Sequence, residues 1–77
     1  SAIQNLNKPL IGLSVGGTHE ITTTSNLLTQ GPAKGSLLAD NFSDAGLASM
    51  TKLNDKYFVD RDGKTFQDMI NYLRNKA

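Results

Sequence analysis

The stretch YFVDRDGKTFQDMINYLR, residues 57–74, carries most of what the sequence says about the fold. A short apolar run ends in three consecutive charges and a glycine, and a helical pattern begins almost at once. Phe66, Met69, Ile70 and Leu73 recur at the i, i+3, i+4 and i+7 spacing of one helix face. The stretch therefore predicts a strand followed by an amphipathic helix that ends near residue 74.

The three charges between strand and helix, Asp60, Arg61 and Asp62, have two interpretations. They form a solvated strand end that caps the following helix, or they face a neighbouring subunit that supplies their partners. Strand alternation places Asp60 and Asp62 on the face of Phe58, so the charges are drawn toward apolar neighbours. For the helix start, Thr65 and Asp68 have the spacing of a capping box. The residues by themselves leave both interpretations open.

The other informative region is a hairpin near the beginning of the chain. Residues 10–15 alternate between apolar and small side chains, which predicts a strand. Gly16 and Gly17 follow, and glycine pairs accept the positive φ angles of a tight reversal without a Cβ penalty. Residues 19–24 are rich in β-branched side chains and predict the returning strand. We assign Gly16 and Gly17 a structural turn and no phosphate-binding role.

Between these regions the patterns are weaker. Ser25 is predicted to cap a short helical turn, and Ser36 a second helix that carries Phe42 and stops at Gly46. Residues 47–53 alternate weakly and predict a strand. The predicted core consists of the large apolar side chains Leu13, Val15, Phe58, Phe66, Met69, Ile70 and Leu73.

Length and composition limit the classes of function. The 77 residues provide one domain, with a loose polar lead-in over residues 1–8. No cysteine and a single histidine leave no disulfide and no metal site, and we expect no cofactor. A net charge of +1 does not indicate binding to nucleic acid or to an anionic membrane surface. The apolar runs are also far shorter than a membrane-spanning segment. Because a core this small rarely supplies more than about 3–5 kcal/mol, self-association is the expected source of further stability.

The motifs together resemble one family. Val15-Gly16-Gly17, Thr22-Thr23 and the block from Tyr57 to Arg74 are similar to the BTB/POZ tetramerisation domain of voltage-gated potassium channels and KCTD proteins. Asp60-Arg61-Asp62-Gly63 resembles the KCTD branch. The resemblance implies an α/β fold in which a small sheet with an N-terminal β-hairpin packs on helices. Because the family domain continues beyond the last helix, it also implies a core shortened at its C-terminus.

The resemblance further implies function. It predicts a cytoplasmic protein–protein interaction module, with no enzymatic activity, that forms a homotetramer or homopentamer and acts as an adaptor or scaffold for a cullin ubiquitin ligase. Asp60, Arg61 and Asp62 are then the oligomer interface. Phe42, Ser43 and Asp44 are the region that a partner such as a cullin contacts.

Two alternatives remain at this point. The first is the cytoplasmic assembly domain of a voltage-gated potassium channel, which membrane-spanning segments encoded downstream would favour. The second is a small ligand-binding domain that uses the glycine turn and the acidic strand end, which a monomer that binds a nucleotide or metal would favour.

Overall fold

The computed structural model describes residues 10–76, so the predicted lead-in over residues 1–8 lies outside the described residues. In chain order the elements are strands β1 (Leu10–Val15) and β2 (His19–Thr24), helix α1 (Ser25–Thr29), a 3-10 turn (Gly31–Ala33), helices α2 (Leu37–Asn41) and α3 (Asp44–Ser49), strands β3 (Lys52–Leu53) and β4 (Lys56–Val59), and helix α4 (Gly63–Lys76).

The four strands form one mixed sheet in the order β2-β1-β4-β3. β1 and β2 are the antiparallel arms of the predicted hairpin, with Leu13 opposite Ile21. β4 lies parallel to β1, with Leu13 beside Tyr57 and Val15 beside Val59. The chain between them carries α1, α2 and α3, as a parallel connection requires a long crossover. The α/β architecture predicted from the sequence is therefore present.

One core joins the sheet to the helices. Its buried apolar side chains are Leu13, Val15, Ile21, Leu28, Ala33, Phe42, Val59, Phe66, Ile70 and Leu73. Helix α4 contributes the predicted stripe, with Met69 partly buried against the cluster. At its far end, the Arg74 guanidinium donates to the carbonyl of Thr22 at 2.9 Å and ties the helix to β2.

The prediction that Phe58 belongs to the core is wrong. Leu13 and Val15 face the core, and their neighbours in the parallel pair are Tyr57 and Val59. Because side chains alternate across a strand, Phe58 points to the opposite face of the sheet with Ser14. Phe58 is half-buried and lies outside the core cluster.

The middle of the chain differs most from expectation. Residues 44–49 form helix α3, which takes up the first three residues of the predicted strand 47–53, and only Lys52–Leu53 of that stretch is a strand. Gly46 lies inside α3 and stops nothing, because the Ser43 hydroxyl accepts from its N–H at 3.1 Å and starts that helix. The prediction from Ser36 is correct: its hydroxyl accepts from Ala39 N–H at 3.2 Å.

At two helix starts, the structure does not use the residues whose spacing suggested a cap. Helix α1 begins after Thr24, whose extended backbone and hydroxyl, accepting from Leu27 N–H at 3.3 Å, make it the cap in place of Ser25. At α4 the residue that serves the free N–H groups is Asp62, and the predicted Thr65–Asp68 box is replaced by an ion pair of Asp68 with Lys64 at 3.0 Å. Helix α4 extends to Lys76, two residues beyond the predicted end.

Candidate interaction surface

The glycine turn holds the strand end that carries the three charges. Gly16 and Gly17 have φ angles of +63° and +79°, as predicted for a tight reversal. The Gly16 N–H donates to the carbonyl of Val59 at 2.8 Å. A Cβ atom on Gly16 would lie 2.8 Å from the carbonyl oxygen of Arg61. The turn therefore packs directly against the backbone of the charged segment.

Asp60, Arg61 and Asp62, which we call the charged edge, all lie on the surface of the subunit. The backbone bends there, because Arg61 N–H donates to the same Val59 carbonyl at 3.0 Å. Among residues 10–76, the ion pairs are Lys56–Glu20 and Lys64–Asp68, so neither Asp60 nor Arg61 forms one within the described chain. The backbone that carries Asp60 and Arg61 is therefore held in place, but these two opposite charges do not form an ion pair with each other.

Asp62 has a role inside the subunit as well. Its Oδ2 accepts from the Thr65 N–H at 2.9 Å and from the Thr65 hydroxyl at 2.8 Å. The backbone N–H of Thr65, and after it the hydroxyl, hold the pKa of the Asp62 carboxyl below its ordinary value. The charged carboxylate also suits the positive end of α4. The interpretation of this segment as a helix cap therefore holds for Asp62.

His19 supports the same corner, which the sequence did not indicate. A Cβ atom on Gly63 would meet the His19 imidazole, so the first residue of α4 can lie against this ring only because it is glycine. The Thr18 hydroxyl is 3.1 Å from Nδ1 of His19. The ring thus packs between the hairpin turn and the start of α4, where it fixes the helix relative to β2.

An open groove of about 880 Å³ runs beside the charged edge. It lies between α2, α3, the end of β4 and the first half of α4. Its lining residues are Leu37, Leu38, Asn41, Phe42, Gly46, Ser49, Met50, Phe58, Val59, Asp60, Arg61, Asp62, Thr65, Phe66 and Met69. The groove has an apolar floor and a charged rim, and it brings Phe42 and the charged edge, predicted as two separate sites, onto one surface.

The three residues predicted to contact a partner differ in what they expose. Phe42 is only 3% exposed and packs against Phe66, with ring centroids 6.3 Å apart. Its side chain therefore supports the groove wall from the core side and offers little surface to a partner. Ser43 caps α3, and Asp44 is exposed in the first turn of that helix. Of the three, Asp44 is the side chain most available to another molecule.

Leu37 is the rim residue that the sequence analysis missed. Its side chain is 81% exposed, although it lies in the first turn of α2 and borders the groove. Its position directly after the cap Ser36 was a usable signal, because Leu38, one residue later, is the leucine of α2 that packs against the core. An exposed leucine at an apolar groove is typical of a contact surface.

Residues 10–76 do not bring together three His, Cys, Asp or Glu side chains that could hold a metal ion. Within the same range, no helix has the length and apolarity needed to cross a membrane.

The described residues form an α/β domain in which helices pack on a small mixed sheet, and its candidate site is an open groove on the surface. A family model described as BTB/POZ domain matches residues 11–77, and the chain belongs to this family, in its potassium-channel tetramerisation type. The assignment to the KCTD-like branch is consistent with that family. A comparison with curated proteins gave no match. BTB/POZ domains are protein–protein interaction and oligomerisation modules, which gives this domain its general class of function.

Proposed function

We propose that this domain assembles into a homotetramer or homopentamer through the charged edge, and that the assembly serves as a cytoplasmic adaptor or scaffold. The observation that supports the proposal is that Asp60 and Arg61 are exposed and form no ion pair within the described chain. The backbone that carries both is fixed by Gly16. A preorganised pair of opposite charges is suited to a polar interface between identical subunits, because each supplies what the neighbour lacks.

The proposal is tested by replacing single charges. Arg61→Ala and Asp60→Ala should each dissociate the oligomer, because a charge left unpaired in an interface typically costs about 3–5 kcal/mol. Molar mass is measured by light scattering after size exclusion, and subunit stability by thermal unfolding. Lys34→Ala, at an exposed lysine of the α1–α2 connection, is the control and should leave the mass unchanged. An unchanged mass with a lowered unfolding temperature for Arg61→Ala would show that the charge acts within one chain.

We assign the adaptor role to the rim of the groove formed by α2 and α3. Leu37 offers an apolar contact at this rim, and Phe42 shapes the groove wall. Asp44 offers an acidic contact from the first turn of α3, outside the groove lining. A cullin is the proposed partner. The alternative role, assembly domain of a potassium channel, uses the same self-association, and membrane-spanning segments in the parent gene would favour it.

Binding to a purified cullin N-terminal region tests the adaptor role. Leu37→Asp should weaken binding about tenfold or more, as loss of a central apolar contact typically does. Leu53→Asp is the matched control, since Leu53 is also exposed but lies in β3, outside the groove lining. Equal affinities for the two variants, or no binding by the unaltered domain, would rule out this use of the groove.

A further inference from the structure

Asp62 and Gly63 form the one aspartate–glycine pair in the sequence, and no asparagine precedes a glycine. In such a pair the amide nitrogen of the glycine can attack the side-chain carboxyl carbon of the aspartate. The five-membered ring that closes then meets no Cβ atom on the following residue, so the hindrance is the least that any residue offers. Asp62 therefore has a chemical reactivity that is weaker at the other aspartates of this chain.

The fold requires these two residues for separate reasons. Position 63 needs glycine because a Cβ atom there would meet the His19 imidazole. Position 62 needs a short side-chain acceptor because Oδ2 of Asp62 accepts from the N–H and the hydroxyl of Thr65, at 2.9 and 2.8 Å. Two packing requirements thus place a reactive pair at the start of α4.

We propose that Asp62–Gly63 is a site of isoaspartate formation and that the contact with Thr65 holds this reaction back in the folded domain. The nitrogen of Gly63 bonds to Cγ of Asp62, and the amide proton and the hydroxyl of the neutral carboxyl leave together as water. Water then opens the resulting succinimide ring at either carbonyl group. One opening restores aspartate, and the other leaves the chain running through Cβ and Cγ, with one extra carbon atom in the backbone.

The surroundings of the pair permit the reaction and also restrain it. Asp62 is exposed, so water can reach the ring, and the Gly63 N–H donates no hydrogen bond to an acceptor in residues 10–76. As the first residue of α4, Gly63 also has no intrahelical carbonyl to donate to. The restraint is Thr65, which fixes the Asp62 carboxylate on the residue three positions ahead. Its carbon is then not free to rotate into the near-attack geometry that a bond to the adjacent nitrogen requires.

The ionisation of Asp62 acts in the same direction. Only the neutral carboxyl group has a hydroxyl to lose as water, so the carboxylate must first take up a proton. The backbone N–H of Thr65, and after it the hydroxyl, hold the pKa of Asp62 below its ordinary value and so reduce the neutral fraction. The cap therefore limits both the conformation and the protonation that ring closure needs.

Conversion would change the charged edge and the start of the helix together. The extra carbon atom lies between Asp62 and Gly63, so it would displace Gly63 from the His19 ring and move the carboxylate away from Thr65. The inference does not depend on self-association, because ring closure takes place within one chain and needs no access by another protein.

The rate of isoaspartate formation in the whole chain tests the proposal. The unaltered protein is incubated in buffer and in urea, and isoaspartate is located by electron-transfer fragmentation of the peptide 57–64 that cleavage after lysine releases. Formation at Asp62 should be more than about tenfold faster in urea, because in buffer only the small population of locally opened molecules reacts. Equal rates in the two solvents, or no isoaspartate at this position in urea, would overturn the proposal.

Thr65→Val separates the effect of the cap from that of overall stability. It removes the hydroxyl donor, and the rate in buffer should rise about fivefold, as the loss of one hydrogen bond shifts an opening equilibrium. Gly17→Ala is the matched control, since it weakens the hairpin turn without altering the cap, and its rate should stay near that of the unaltered chain. Circular dichroism verifies that both variants are folded. No rise for Thr65→Val, or an equal rise for Gly17→Ala, would show that the cap does not protect Asp62.

Discussion

Glycine at position 16 and at position 63 sets the geometry of the charged edge. Gly16 combines a left-handed backbone with close approach to the Arg61 carbonyl, and Gly63 makes room for the His19 ring. These residues act by leaving space that any Cβ atom would fill. The positions of Asp60 and Arg61 therefore depend on two glycines, which have no side chain of their own.

Gly16→Ala should lower the free energy of unfolding by about 2 kcal/mol or more, because it adds left-handed strain to a backbone clash. Gly17→Ala is the matched control. Its φ is also positive, but nothing lies within 4 Å of the added carbon, so the cost should be about 1 kcal/mol. Urea unfolding of both variants measures the difference, and equal losses would show that the contact with Arg61 is unimportant.

Asp62 should make stability depend on pH in acid. Since its pKa is lower in the folded than in the unfolded chain, its stabilisation is present above about pH 4 and is lost as pH falls through the lowered folded value. Thermal unfolding of the unaltered chain and of Asp62→Ala should therefore differ at neutral pH and converge in acid. Thr65→Val, which removes one of the two donors, should fall between them. A difference that stays constant with pH would contradict the assignment.

At the level of elements, the corner between α2 and α3 positions the partner-facing rim. Ser36 and Ser43 cap α2 and α3 as Thr24 caps α1, but the corner itself depends on Gly46. A Cβ atom there would overlap the carbonyl oxygens of Asp40 and Asn41 at the end of α2. Close approach of the second helix to the end of the first sets the relative position of the two helices that line this part of the groove, where Leu37 is exposed.

Gly46→Ala should separate α2 from α3 and destabilise the domain by about 1–3 kcal/mol, although alanine is the better helix former. Gly12→Ala is the control. Its added carbon would lie 3.3 Å from Cγ of Lys56, a flexible side chain that can move aside. Circular dichroism during denaturant unfolding gives both values. A stabilising effect of Gly46→Ala would mean that helix propensity outweighs the contact.

At the scale of the whole molecule, residues 10–76 form three short helices, the longer helix α4 and a four-stranded sheet around one small core, with a radius of gyration of 12.0 Å. Within residues 10–76, the Arg74–Thr22 hydrogen bond and the Lys56–Glu20 ion pair add side-chain contacts between distant parts of the chain. A subunit of this size gains stability when it associates, because any partner that binds only the folded state shifts the unfolding equilibrium.

The thermal midpoint should consequently rise with protein concentration. A hundredfold increase through the association range should add roughly 1–3 kcal/mol to the apparent stability of each subunit. Arg61→Ala should show little of this dependence if the charged edge is the main contact. Scanning calorimetry at two concentrations decides the matter, and coincident midpoints for the unaltered chain would mean that folding and assembly are not linked.

The hairpin, the turn at Gly16 and Gly17, the apolar stripe of α4 and the family could all be predicted from the amino-acid sequence. These are local signals, since alternation, glycine pairs and the i, i+3, i+4 pattern each act within a few residues. The α3 helix lay within reach too, because Ser43 stands three residues before Gly46. The prediction did not use that cap and took residues 47–53 as a strand from their weak alternation.

Only the tertiary structure decided which strand face meets the core and which distant residues meet. Alternation separates Phe58 from Val59 but does not say which faces inward; the parallel pairing with Val15 settles it. The groove likewise joins Phe42 to the charged edge across a connection that no local pattern encodes. Burial and surface shape arise when separate elements pack, because a side chain's neighbours in space are set by the whole fold and not by its neighbours in sequence.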